Sequence, residues 1–256
     1  MNMTEKQPIG FRVERLNRVD STNSYLKTLA ASDAPHGLVV VADGQTGGRG
    51  RFGRSFESAA GKGLYFSVLL RPDFSLSHAP LLTPWAAVAV CRAVEELTSL
   101  HPHIKWINDL LLNGKKFCGI LTEADIAPDG TLRHIILGIG LNIGQQEEDF
   151  SPEVASIATS LSQHLAQPPS RDALLTAILA QLNHMWENFP AAQDQYLEAY
   201  RSRCITTGKT VQILSPSGSR PGEALGINED FSLSVRFPDG RVEQLNSGEV
   251  SVRAGN

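Results

Sequence analysis

The sequence has no long uncharged apolar run, and so no segment that reads as a membrane-spanning helix. Its nearest approach, the Ala/Val stretch after Pro84, meets Arg92 within about two turns. The N-terminus, Met1-Asn2-Met3-Thr4-Glu5-Lys6, lacks an apolar core of the kind a secretory leader needs. Cysteine is scarce. Cys91, Cys118 and Cys204 lie far apart with no Cys-x-x-Cys pair, so neither a disulfide framework nor a thiolate zinc site is legible, and reduced, mostly buried thiols are expected. An excess of basic charge is also missing. With Lys+Arg 23 against Asp+Glu 27 the net charge is −4, which excludes a broadly basic nucleic-acid surface and leaves anion binding to a local cluster. Disorder is excluded as well, because 41% hydrophobic and 20% charged residues match an ordinary globular chain. The composition points to a cytoplasmic protein with one large domain, or a medium domain and a small one.

What is present has clear periodicity and no internal repeat. Asp20-Ser21-Thr22-Asn23 supplies cap residues ahead of Tyr25, Leu26, Leu29 and Ala30, the spacing of a short amphipathic helix. Residues 38–42 and 64–70 read as buried strands on either side of a Gly- and Arg-rich loop over 47–54. Thr83-Pro84 reads as a helix start, with the helix running to Leu97. Residues 104–106 form another strand, and 109–112 and 115–123 are joined by Asn113-Gly114, a strong hairpin signal. A turn at Asp129-Gly130 leads into an apolar strand, 135–143, which serves either as core or as the edge of a homodimer. Ser170 caps a long helix bearing Leu175, Ile178, Leu179, Leu182, Met185, Trp186 and Phe189, and Tyr196, Leu197 and Tyr200 mark a shorter one.

From Thr206 the texture changes. Short β-like runs (211–214, 233–237, 249–253) alternate with turns at Ser215-Pro216-Ser217-Gly218 and Asp239-Gly240, as in a small β-barrel. The expected fold is α+β: a mixed β-sheet with packed helices over residues 1–205, then a small SH3-like β-barrel over 206–256. His101 and His103 flank Pro102 with no carboxylate or Cys nearby, which reads as a surface loop more than as a metal site.

Gly48-Arg49-Gly50-Arg51-Phe52-Gly53 matches G-x-G-x-x-G after a strand, with Asp73 twenty residues further on. A dinucleotide fingerprint must open a helix, however, and the residues from Arg54 to Gly63 carry no helical apolar stripe. A kinase reading fails because no His-Arg-Asp or Asp-Phe-Gly follows. What remains is a permissive loop with Arg49, Arg51 and Arg54 close together. It reads as an anion site of main-chain N–H groups and Arg forks, as a solvated Arg-rich turn, or as an Arg-Gly segment touching RNA.

Three further clusters fall beside strands. Asn108-Asp109 in Lys105-Trp106-Ile107-Asn108-Asp109 reads by itself as an Asx-turn. In Lys115-Lys116-Phe117-Cys118-Gly119-Ile120-Leu121, alternation puts Lys116 on one face with Cys118 and Ile120, and Lys115 on the other with Phe117 and Leu121. A lysine on an apolar face needs a negative partner, which makes Lys116 the better candidate for a bound anion. Gly138 and Gly140 in Gly138-Ile139-Gly140-Leu141-Asn142-Ile143 share a face, either clearing space for something flat or marking a kink.

Taken in order, these pieces resemble the biotin–protein ligases. Ser21-Thr22-Asn23, Gln45 with the Gly48–Arg54 loop, the Lys105–Asp109 and Lys116–Leu121 segments, Gly138–Asn142 and Ser247-Gly248-Glu249-Val250-Ser251 follow the family's order over nearly the whole chain. Ile107 stands where the family usually has Pro, and Phe56 near where bacterial relatives place a Trp over the adenine.

The resemblance implies an ATP-dependent, AMP-forming ligase that makes biotinyl-5′-AMP and passes biotin to a lysine of a biotin carboxyl carrier protein, such as that of acetyl-CoA carboxylase. It implies Arg49, Arg51 and Lys116 as the catalytic groups around the biotin carboxylate and α-phosphate. Ser21, Thr22, Asn23, Gln45, Gly50, Gly119, Gly138 and Gly140 would complete the biotin site. Arg54, Phe56, Lys105, Asn108, Asp109 and Asn142, with Arg51 and Lys116, would hold ATP and its Mg²⁺. Residues 1–20 are too few for the DNA-binding domain that some members carry, so no nucleic-acid partner and no membrane are expected. The alternatives are a lipoate or octanoate ligase or transferase of the same fold, and a non-enzymatic Arg-Gly-loop module that binds RNA or protein.

Overall fold

In the computed structural model, which describes residues 7–215 and 218–252, the first seven strands form one mixed sheet and the last five a second. The chain runs β1 (Arg12–Val19), α1 (Thr22–Ala31), β2 (Leu38–Gln45), β3 (Gly63–Leu70), α2 (Leu82–Leu97), β4 (His103–Lys105), β5 (Asp109–Leu112), β6 (Lys115–Ile126) and β7 (Leu132–Asn142). There follow α3 (Pro152–Ala155), α4 (Arg171–Asn188), α5 (Gln193–Arg203), β8 (Thr210–Ser215), β9 (Gly218–Ile227), β10 (Leu233–Arg236), β11 (Val242–Leu245) and β12 (Glu249–Val252). Met1 to Lys6, Pro216, Ser217 and Arg253, each used in a sequence expectation, lie outside the described residues.

The large sheet has the order β1-β2-β3-β7-β6-β5-β4, parallel between β1 and β2 and antiparallel elsewhere. Alternation divides its residues between two faces. Phe66, Val68, Leu137, Ile139 and Ile120 join Trp85, Val88, Ile178 and Leu182 in the main core. Val40, Leu69 and Ile136 pack on the opposite face beneath Leu26 and Ala30 of α1. In register with that second face, Tyr65 opposes Gly140 and Ser67 opposes Gly138, while Gly140 opposes Gly119. There the second face becomes a cavity floor. β7 lies between β3 and β6, so the apolar strand is core and not a free dimer edge.

Local signals account for several elements. Ser21 caps α1 by accepting from Ser24 N, and Ser170 caps α4 by accepting from Ala173 N. Asn113 and Gly114 both have positive φ, as a two-residue hairpin turn requires. Thr83 does not start α2. A 3₁₀ turn over Leu76–Leu81 feeds the helix one residue earlier, and the Thr83 hydroxyl is 2.8 Å from that of Thr122.

The expected strand parity of Lys116 is also overturned. A bulge between Leu110 and Leu111 lets both Phe117 and Cys118 enter the core, which turns Lys116 onto the face of Gly119.

The small sheet, antiparallel in the order β11-β10-β9-β8-β12, stands where the barrel was expected, so the fold is α+β. Among the described residues no pairing closes β11 onto β12. It is pinned to the large sheet through Trp106, whose backbone N–H donates to Thr206 Oγ1 at 3.0 Å and whose indole N–H donates to the Phe231 carbonyl at 2.8 Å. The Trp106–Ile107 peptide is cis, and Tyr200 donates its hydroxyl to the Ile107 carbonyl. Cys91 and Cys118 are buried and Cys204 is half-buried; burial pushes all three thiols up, away from reactive thiolate. His101 and His103 are exposed, and among the described residues no cluster of three metal-ligating side chains and no helix long and apolar enough to cross a membrane occurs.

Candidate active site

Every residue singled out from the sequence as a site residue lines one cavity of about 1110 Å³ above the glycine-bearing part of the large sheet. One corner is a polar cluster at the start of α1. Thr22 donates its backbone N–H (2.8 Å) and hydroxyl (3.2 Å) to Gln45 Oε1, and Gln45 Nε2 donates to Ser58 Oγ at 2.8 Å. Ser67 Oγ, fully buried, lies 2.6 Å from Asn23 Oδ1 and 2.8 Å from Thr22 Oγ1. The helix cap thus does double duty, since the residues that start α1 also present amide and hydroxyl groups to the cavity.

The floor explains the glycines. A Cβ on Gly138 would lie 2.0 Å from Asn23 Oδ1, and one on Gly140 2.8 Å from the Phe56 ring. The space they clear is taken by the chain's own Asn23 and by the flat ring of Phe56. A Cβ on Gly119 would meet Lys116 Nζ at 3.1 Å.

Over this floor folds the Arg loop, drawn into a hairpin by the Gly50 N–H to Arg54 carbonyl bond (2.7 Å), with Phe52 and Gly53 at positive φ. Arg49 pairs with Glu123 at 3.1 Å, Arg51 donates to Asn108 Oδ1 at 3.2 Å, and Arg54 is exposed at the mouth. Lys116 Nζ lies 2.6 Å from Asp109 Oδ1 and 5.8 Å from the Phe56 ring centre. Asn108 is more than an Asx-turn, because its Nδ2 donates to the Ile120 carbonyl and locks the loop to β6. Asn142 is held at both ends of its amide, donating to the Thr159 carbonyl and accepting from Gln145. Gln145 in turn donates to the hydroxyl of Tyr65, whose pKa burial pushes up.

Two parts of the wall carried no motif. Phe150, Val154, Ile157 and Ala158 close one side, with Lys116 N–H donating to the Ile157 carbonyl at 2.8 Å. Ile205 and Leu214 close another beside Val250, which belongs to the Ser247–Ser251 piece noted in the sequence, and they bring the small sheet to the cavity. Glu123 was also missed, although a charged residue on the face of Gly119 and Leu121 was a readable signal. Electrostatically the cavity opposes the chain: among the described residues Arg49, Arg51, Arg54, Lys105 and Lys116 line it with the acidic Glu57 and Asp109, and Glu123 pairs with Arg49, in a protein of net charge −4. Such a site attracts a polyanion.

Over 235 residues the chain is 36% identical to the bifunctional ligase/repressor BirA of Bacillus subtilis, an alignment spanning 91% of this chain and 72% of that one. The model of the Biotin/lipoate A/B protein ligase family matches residues 16–142. The chain belongs to this family. A second relative of this ligase, the biotin--[acetyl-CoA-carboxylase] ligase of Mycobacterium tuberculosis, is 32% identical over 238 residues, 90% of this chain and 85% of that protein. The ligase fold also superposes on the biotin protein ligase from Aquifex aeolicus in complex with biotin and ATP, with a TM-score of 0.78, 30% identity, and coverage of 95% of this chain and 99% of that one.

Proposed function

We propose that the chain is a biotin–protein ligase that acts in two steps in this one cavity. In the first, a carboxylate oxygen of biotin attacks the α-phosphorus of ATP, the bond to the β-phosphate oxygen breaks, and pyrophosphate leaves. In the second, a neutral lysine amine of a carrier protein attacks the carbonyl of biotinyl-5′-AMP. AMP leaves, and the amine gives up a proton as the amide forms. Two anions must meet in step one, so charge neutralisation and alignment are the main demands. The observation that carries the reading is the convergence of five cations beside a corner of amide and hydroxyl groups.

Ser21, Thr22, Asn23 and Gln45 would bind the ureido ring, whose donors and acceptors suit amides and hydroxyls. An alkyl or dithiolane head offers those groups no hydrogen bonds in exchange for the water it displaces, which favours biotin over octanoate or lipoate. Arg49, Arg51 and Lys116 would surround the carboxylate and α-phosphate, and Gly50 would let main chain approach them. Arg54 and Lys105 would take the outer phosphates, Phe56 the adenine face, and Asn108, Asp109 and Asn142 the ribose and phosphate edge. Asp109 fits a magnesium ion that enters with the triphosphate, since one carboxylate plus substrate phosphates suffices for that ion. When bound it would neutralise phosphate charge.

Residues 1–205 would form the catalytic domain and 206–256 the smaller one, which contributes a wall. A carrier domain of the acetyl-CoA carboxylase type is the proposed acceptor. Mass spectrometry after incubation with such a domain, biotin and ATP should find one biotinyl group on a single lysine, and none when that lysine is replaced by Arg. An unmodified carrier would contradict the reading.

A further inference from the structure

Glu123 sits in β6 opposite Ile136 of β7, on the same face as Gly119 and Leu121. That face is the cavity floor continued under α1, where an ionised carboxylate is costly unless it is fully partnered. The partners come from two separate parts of the site. Asn23 Nδ2 donates to Glu123 Oε2 at 2.8 Å, and Arg49 Nη1 lies 3.1 Å from Oε1 and 3.3 Å from Oε2. The side chain retains a quarter of its exposure, so neither contact is a fully solvated surface pair.

An ionised carboxylate only accepts hydrogen bonds, so the amide of Asn23 must turn its NH₂ toward Glu123 and its oxygen toward Ser67. The choice between the two amide orientations, which are nearly the same in shape, is therefore made by Glu123, at 2.8 Å from Nδ2, with the Leu121 carbonyl as a longer second acceptor at 3.4 Å. The same carboxylate holds the first arginine of the Arg loop. We infer that Glu123 is a positioning residue for the ligase reaction: it fixes the amide polarity of Asn23 for the ureido ring and ties Arg49 to that same point. One group thereby links the corner that would read the head of the acid to the loop that would bind its carboxylate.

This inference rests on the ligase reading, and the test separates the two. Glu123→Gln keeps size and an oxygen that can accept from Asn23, but its NH₂ cannot accept from Arg49. Glu123→Ala loses both contacts. In pyrophosphate-release assays Glu123→Ala is expected to raise the KM for biotin about tenfold or more, the size of a lost charge-assisted hydrogen bond. The KM for ATP should stay within about twofold, a split that general destabilisation would not produce. Glu123→Gln should fall between wild type and Glu123→Ala. In a double-mutant cycle, Asn23→Ala with Glu123→Ala should bind biotin no worse than Asn23→Ala with Glu123→Gln, because the amide being oriented is gone.

Strictly additive effects, or equal changes in both KM values, would overturn the positioning role while leaving the ligase reading intact. Absence of biotin-dependent turnover by the unmodified protein would overturn both.

Discussion

Replacing Lys116 with Ala is expected to slow adenylate formation about 10²–10³-fold, the scale on which removing one preorganised charge donor acts. The loss is larger than the removal of a single cation suggests. Lys116 Nζ lies 2.6 Å from Asp109 Oδ1, so the alanine variant exposes an unpaired carboxylate to the incoming triphosphate. Asp109→Asn in the Lys116→Ala background should not recover the rate, because it also removes the carboxylate proposed to hold the magnesium ion. Lys116→Arg should not restore it fully, because a planar guanidinium spreads its charge and cannot place it where the compact ammonium lies, 2.6 Å from Asp109 Oδ1. The assay is single-turnover pyrophosphate release, with a thermal melt to show that each variant folds. Near-normal release from Lys116→Ala would remove this lysine from the chemistry.

Gly138→Ala is expected to raise the KM for biotin about 100-fold while leaving the KM for ATP within about twofold, which corresponds to the loss of one or two hydrogen bonds made by a buried, oriented amide. The added Cβ would stand 2.0 Å from Asn23 Oδ1 and 2.8 Å from its Cγ. Asn23 cannot yield by a small rotation, because Ser67 and Glu123 hold both ends of its amide and its backbone is already in the first turn of α1. It must leave the corner. Gly226→Ala, where a new Cβ meets nothing within 4 Å, is the control and should bind biotin normally. A Gly138→Ala protein with normal affinity for biotin would show that Asn23 does not contact the acid.

Features encoded locally were readable in the sequence. The cap at Ser21, the Asn113-Gly114 turn and the long helix after Ser170 depend on neighbouring residues, and each stands where it was expected. The residues that line the cavity stood out because glycine, arginine and asparagine cluster beside strands in an order that resembles a known family, although only the fold shows that distant clusters share one cavity. The misreadings have a common cause in non-local pairing. Strict alternation placed Lys116 with Cys118, but a bulge set by pairing with β5 resets the parity. β1 escaped notice because Arg12, Arg15 and Arg18 break its apolar alternation, as suits an exposed edge strand. The wall over residues 150–158 has no motif of its own and is placed by hydrogen bonds to Lys116. Glu123 passed as a strand residue because its two partners lie 74 and 100 positions away in the chain.

The most direct experiment supplies the protein with ATP and Mg²⁺, with no carrier present, and follows pyrophosphate on addition of biotin, lipoate or octanoate. A ligase that makes and retains its adenylate should release a burst of about one equivalent with biotin and little with the other two acids. A burst with lipoate or octanoate instead would keep the family and reassign the polar corner of Thr22, Asn23 and Gln45. No burst with any acid would contradict the central reading, that the five cations of this cavity bring a carboxylate and a nucleotide together.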